Sequence, residues 1–327
     1  MIAMQHFDAA ATREALPFAP LVQALRVMFI AGCTVPARHV HALADANGAP
    51  VGTVLVMPAW VVGRYLGIKT VNVFPANAAC GLPALHAVYT LFDASTGVPL
   101  AQMDGGEITT RRTAAASALA ASMLARADAR RLLIVGAGRV ASVMPEAMRV
   151  VRPALSRVDV CNRSAPATQA LVEQLNEQGF DAHVVTDLED AVAQADIVSC
   201  ATLSIAPLIQ GTWLRPGTHV DLVGSFTPQM RESDGACLQR SRVFVDTEEA
   251  LAKSGDVLQA VAEGMFHVDA LQGTLARLCR GEADGGCAGG CAGGCESRRS
   301  DDEITLFKSV GTALEDLAAA ELVFAHR

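Results

Sequence analysis

Gly136 and Gly138 in "LLIVGAGRVAS" stand where an apolar run gives way to a helix-forming stretch. The first glycine allows a tight turn and the second lets the backbone approach a pyrophosphate, whose charge then rests on the helix N-terminus. Ala141 takes the place of a third glycine. The end of the next apolar run, "VDVCNRS", carries Asn162, Arg163 and Ser164 where an acid would bond a ribose 2′-hydroxyl and an arginine would accept a 2′-phosphate. Asp159 falls mid-strand, too early to reach a ribose. The pattern predicts a dinucleotide site that favours NADP(H), with NAD(H) possible, because Arg163 can pair with a dianion and no carboxylate repels it.

Two further places carry cations in unusual settings. Lys69 lies in "YLGIKTVNVFPAN" among apolar residues at a strand start, where a buried ammonium needs a partner or a task. Arg111 and Arg112 open "TTRRTAAASALAASMLA", an alanine-rich helix that can pack closely. On residue type alone, a structural salt bridge and a chemical role both stand open for these groups.

The elements that must hold these residues follow from the apolar pattern. "RLLIVGAG", "SRVDVCN", "AHVV", "ADIVSCAT", "THVDLVG" and "RVFVD" are short Val/Ile/Leu-rich runs separated by amphipathic stretches such as "ATQALVEQLNEQG" and "LEDAVAQA". That alternation predicts a doubly wound parallel sheet covered on both faces, over about residues 120–300. Pro145 should kink the helix that follows Gly138. Ahead of this domain, "GTVLVMPAWVV", "KTVNVFP" and "LHAVYTLFDASTGVPLAQMDG" read as strands joined by turns, a second domain of α+β character.

Composition narrows the partners. The chain has 327 residues, enough for two domains, and a formal net charge of −8, which argues against nucleic acid as a ligand. The uncharged stretch of residues 197–214 is too rich in Ser, Thr, Pro and Gln to span a membrane, and the N-terminus lacks the features of a secretory signal. A cytoplasmic location is therefore expected, with cysteines as reduced, mostly buried thiols. Residues 285–296, "GGCAGGCAGGCE", read as a flexible insertion; Cys287, Cys291 and Cys295 lack the further ligands of a metal site, and no metal is expected.

Taken together, "VPAR", "GIKTVNVFPAN", "GLPALHAVYTLFDASTGVPLAQMDG", "TTRRTAAASALAASMLA", "GAGRVAS", "LRPGTHVDLVGS", "RES" and "DDEITLFKSVGTALEDLAAAELV" resemble the ornithine cyclodeaminase and mu-crystallin family, in order and over nearly the whole chain. The resemblance implies an α/β fold, with a Rossmann-type doubly wound parallel sheet (120–300) inserted into an α+β substrate-binding and dimerisation domain (1–119 plus 301–327) of a homodimer. It implies that Arg38, Lys69 and Arg112 surround the substrate's carboxylate and reacting centre, Lys69 and Arg112 as the catalytic pair, with Val310 near the substrate. Backbone at Arg139 and Val140, the Thr202 side chain, the loop of Val223, Gly224, Ser225 and Phe226, and Ser309 would meet the cofactor.

One departure redirects the chemistry. True cyclodeaminases place an aspartate where this chain has Phe226, which can neither take a proton nor hold an amine. Mu-crystallin, which resembles a ketimine reductase, also lacks the aspartate and has an Asn-Arg-Thr similar to Asn162, Arg163 and Ser164. The expected reaction is NADPH-dependent reduction of a cyclic imino acid, Δ1-pyrroline-2-carboxylate or Δ1-piperideine-2-carboxylate, to L-proline or L-pipecolate. The alternatives are ornithine cyclodeamination with Glu107 or Asp104 as the substitute base, an alanine-type amino acid dehydrogenase, and a non-catalytic ligand-binding protein.

Overall fold

In a computed structural model, described for residues 4–281 and 298–326, the chain divides into two units, Met1–Arg112 with Thr312–Arg327, and Thr113–Gly311. Cys287, Cys291 and Cys295 lie outside the described residues.

The first unit is built on six strands: β1 (Gln5–Phe7), β2 (His39–Ala44), β3 (Pro50–Val61), β4 (Tyr65–Val73), β5 (Leu85–Asp93) and β6 (Pro99–Asp104), in the order β1-β6-β5-β4-β3-β2. β2 to β6 form an antiparallel meander and β1 adds in parallel along β6. The turn chemistry read in "DASTG" is present: Asp93 Oδ1 accepts the N–H groups of Ser95 and Thr96, and Gly97 takes the left-handed conformation at φ 73°. Alternate residues of the long strands are buried, giving one row across the sheet of Met57, Lys69, Tyr89 and Met103. Helices Phe18–Ala31 and Ala313–Ala325 pack against each other, and the second lies on β3 and β4. Gly67, two residues before Lys69, makes room for this row, since a Cβ there would stand 1.7 Å from the Tyr89 hydroxyl.

The second unit carries β7 (Arg131–Val135), β8 (Arg157–Cys161), β9 (Asp181–Val184), β10 (Ile197–Cys200), β11 (His219–Leu222), β12 (Arg242–Val245), β13 (Gly273–Thr274) and β14 (Thr305–Lys308). They form one sheet in the order β13-β12-β14-β11-β10-β7-β8-β9, parallel at every pairing. Each of the six apolar runs read as a strand supplies one. Outside the edge strand β9, where Val184 is exposed, their Leu, Ile and Val side chains are buried, as expected of strands covered on both faces. Strand order reverses between β7 and β10, so the crevice outside their carboxyl ends is the switch point where such sheets take ligands.

The expected boundaries need correction. The units divide at Arg112/Thr113 and Gly311/Thr312, whereas the sequence placed the boundaries at 119/120 and 300/301. The second difference has a plain cause: β14 bonds between β11 and β12 and so belongs to the parallel sheet. Pro145 sits buried inside helix Arg139–Val151. No helix of the described residues is long and apolar enough to cross a membrane.

Candidate active site

In the first unit the centre of interest is Lys69, 2% exposed on β4. Its Nζ lies 2.6 Å from Asp316 Oδ2 and donates to Thr109 Oγ1 at 3.3 Å. Arg112 Nε donates to Asp316 Oδ1 at 3.0 Å, and Arg112 Nη1 bonds Glu315. Glu315 and Asp316 are both fully buried in the first turn of helix Ala313–Ala325, whose N-cap Thr312 accepts from Leu314 N–H; a helix N-terminus favours negative charge. Two cations and two anions thus meet in one buried cluster.

The charges set each other's titration. Burial pushes the Lys69 ammonium down to about 8; Asp316 opposes that fall and Arg112 adds to it. Burial also works to raise the Asp316 carboxyl, but Lys69 and Arg112 outweigh it and hold Asp316 below the usual carboxylate range. An ammonium that titrates near 8 has the property a general acid needs.

Sequence reasoning missed Glu315 and Asp316 as site residues, although Thr312 with Glu315 three residues on was a readable helix-start signal. Arg38 stands half-buried just ahead of β2, and one step beyond the His39–Val56 pairing it falls level with Met57, the β3 partner of Lys69. Arg111 proves structural, with Nε on Leu16 C=O at 2.6 Å and its guanidinium over the Phe18 ring. The proposed substitute bases are engaged elsewhere: Glu107 holds Arg13 through both oxygens at 2.8 and 3.1 Å, and Asp104 accepts Glu107 N–H at 2.7 Å at the start of helix Gly105–Leu124.

The residues expected to meet a dinucleotide all lie in the second unit, past the carboxyl ends of parallel strands. Gly136 follows β7 with φ 118°, and a Cβ there would stand 2.6 Å from Ala201 C=O, so glycine is required. Gly138 has φ −85° and nothing within 4 Å of a Cβ position. Neither backbone nor packing calls for glycine at that point, so the open space suits a group the chain does not supply, such as a pyrophosphate. Gly138 is also the N-cap of helix Arg139–Val151 and brings no side-chain acceptor, which leaves that end suited to an anion.

Beyond β8, Asn162 is half-buried and Arg163 exposed, while Ser164 caps helix Ala165–Glu177. Asp159 is fully buried and pairs with Arg131 at 2.5 Å and Arg157 at 3.2 Å, a structural role. Past β10 and β11, Leu203, Ile205 and Phe226 are exposed apolar side chains. Thr202 and Ser225 turn inward: the Thr202 hydroxyl donates to Glu232 at 2.9 Å and the Ser225 hydroxyl to Met230 C=O at 2.6 Å. The methyl end of the Thr202 side chain lies toward Gly136. Val223 is buried, Ser309 donates its N–H to Leu222 C=O, and Val310 packs with Val245 and Ala250 in this unit, not in the first domain to which it was assigned.

A sequence profile of the Ornithine cyclodeaminase/mu-crystallin family matches residues 36–326. The chain belongs to this family. Among family relatives, the Δ1-pyrroline-2-carboxylate reductase of Paracoccus denitrificans is 41% identical over 293 residues, 88% of this chain and 89% of that one. The structure of the Thermococcus litoralis Δ1-pyrroline-2-carboxylate reductase, in complex with NADH and L-proline, is similar with a TM-score of 0.87 and 29% identity, covering 98% of this chain and 97% of that one. An archaeal alanine dehydrogenase dimer with bound NAD is similar at a TM-score of 0.86 and 28% identity, covering 98% and 95%. The family's Rossmann-type sheet is the fold of the second unit.

Proposed function

We propose that the protein is an NADPH-preferring reductase of cyclic imino acids, converting Δ1-pyrroline-2-carboxylate or Δ1-piperideine-2-carboxylate to L-proline or L-pipecolate. The observation that carries this reading is the buried Lys69–Asp316–Arg112 cluster, which can supply one proton near neutral pH; Phe226, in the second unit, offers no second base. The names of two relatives, and the NADH and L-proline in one of them, support it.

When bound, the reduced nicotinamide supplies a hydride. The chain's own residues do the rest. Lys69, charged below about 8, donates a proton to the imine nitrogen and makes the neighbouring carbon electrophilic. Asp316 stays ionised and holds the ammonium in place, so that the proton can be replaced from solvent after each turnover. With Arg112 already tied to two carboxylates, the substrate carboxylate is met chiefly by Arg38, Arg112 adding its charge. The exposed Phe226, Leu203 and Ile205, past neighbouring strands, would offer apolar surface to the nicotinamide end. The sheet face opposite the helices, with Val54, Val56, Trp60, Ile68 and Val88 incompletely covered, is where a second copy would dock to make the dimer.

Cyclodeamination is disfavoured by the engagement of Asp104 and Glu107 described above. Incubating the protein with L-ornithine and NAD should release no ammonia, whereas rapid ammonia release with proline would replace reductase by cyclodeaminase. Cofactor preference has its own test. Arg163→Ala should raise the KM for NADPH about 10–100-fold, the worth of a charge-assisted hydrogen bond, and change that for NADH little. Equal effects on both cofactors would remove Arg163 from the 2′-phosphate site.

A further inference from the structure

Glu232 is fully buried, and both of its carboxylate oxygens are used by backbone. Oε1 accepts the Thr202 N–H at 2.7 Å and the Thr202 hydroxyl at 2.9 Å, and Oε2 accepts the Gly224 N–H at 2.7 Å. Thr202 lies two residues past β10 and Gly224 two past β11, and these strands are neighbours. One carboxylate therefore pins together the exits of two strands. The fit is tight: a Cβ on Gly224 would stand 1.9 Å from Thr202 C=O and 2.4 Å from Glu232 Oε1.

Glu232 is itself fixed from behind. Its N–H and that of Ser233 donate to Asp256 Oδ1 at 2.8 and 2.9 Å, and its carbonyl accepts from Leu208 and Ile209. Asp256 Oδ2 lies 3.4 Å from Nζ of Lys308, a fully buried lysine at the end of β14. Burial pushes the Glu232 carboxyl up to about 7, Asp256 adds to the rise, and Lys308 with the two backbone donors works against it. A buried charge at that cost, used on no surface partner, is out of proportion to the task of closing a loop.

We propose that Glu232 is a positioning residue for the nicotinamide end of the cofactor: by clamping Thr202 to Gly224 it sets where the loop tips 202–205 and 223–226 stand. The proposal rests on the nicotinamide reading above. Hydride transfer demands a donor–acceptor distance held within a fraction of an ångström, and the loops that border it need a rigid support beneath them. Glutamine cannot do the same work, because its NH2 group would face either the Thr202 or the Gly224 N–H and leave that donor unmatched.

The test compares the wild type with Glu232→Gln for NADPH and NADH dissociation constants, read by cofactor fluorescence, and for the primary isotope effect on turnover with 4-deuterated cofactor. Glu232→Gln should weaken cofactor binding about tenfold or more, as one lost charged hydrogen bond implies, and should raise the isotope effect as hydride transfer becomes slower. Should that variant fail to fold, Thr202→Val, which removes one of the three donors, should shift both readings the same way by less. A variant with lowered thermal stability but wild-type dissociation constant and isotope effect would show that Glu232 serves the fold alone and would overturn the proposal. A wild type that binds neither cofactor would overturn the nicotinamide reading itself, a distinct outcome.

Discussion

Lys69→Met is expected to lower turnover by about 10²–10⁴-fold, the usual worth of a general acid, while cofactor affinity stays at the wild-type value. Lys69 sits in the first unit and every dinucleotide-motif residue in the second, so the substitution leaves the cofactor residues untouched. The variant should still fold, at reduced stability, since one buried anion loses its matching charge. Methionine fills the lysine's volume beside Met57, Tyr89 and Met103, and Asp316 keeps Arg112 as its counter-ion at 3.0 Å. The wild-type profile carries the same signature: reductive kcat/KM should be flat at neutral pH and fall as pH rises through about 8, where Lys69 gives up its proton. Steady-state kinetics across pH with thermal melts of both proteins check it. Unchanged turnover in Lys69→Met, or a profile without the alkaline fall, would remove Lys69 from the proton transfer.

Arg112→Leu is expected to cost about 3–5 kcal/mol of stability, because it strands charge in a dry interior. Glu315 and Asp316 have no exposed surface, and the arginine side chain that faces them is itself only 8% exposed. Lys69 stays with Asp316, while Glu315 loses the guanidinium that bonds it. The deficit should shrink on acidification, since a stranded carboxylate has a raised folded pKa and gains stability by taking up a proton as pH falls. Adding Glu315→Leu should likewise restore much of the loss by removing the orphan. Urea denaturation of the single and double variants measures this. A single variant as stable as wild type would mean that water reaches the cluster and that the low Lys69 pKa has another origin.

The parallel sheet was legible because its strands are buried on both faces, so "LLIV", "VDVC" and "DIVSC" read as continuous apolar runs between amphipathic helices. "TLFK" was harder to assign: β14 inserts between β11 and β12 after a long excursion, and its terminal Lys308 is buried against Asp256, which a local pattern does not announce. The same holds for the site. Gly136, Gly138, Arg163 and Lys69 carried a signal in their own neighbourhoods, whereas the ion pair of Arg112 with Asp316 joins positions 204 apart. Nothing near Arg112 in the chain names that partner. Glu107 and Asp104 misled for the opposite reason, since an acidic pair beside a glycine turn looks available until the folded chain shows Arg13 and a helix start using both. Thr202 and Ser225 were placed correctly at strand exits, but the direction of their hydroxyls depended on Glu232 and Met230 and could not be read from type.

The central claim is that hydride goes to the carbon of a C=N bond whose nitrogen Lys69 protonates. Turnover of Δ1-pyrroline-2-carboxylate with 4-deuterated NADPH, followed by mass and NMR analysis of the product, tests it most directly. The account predicts L-proline with a single deuterium at C2, formed without ammonia and lost in Lys69→Met. Oxidation of the cofactor only when ammonia and an open-chain 2-oxo acid are supplied, or no deuterium in the product, would contradict it.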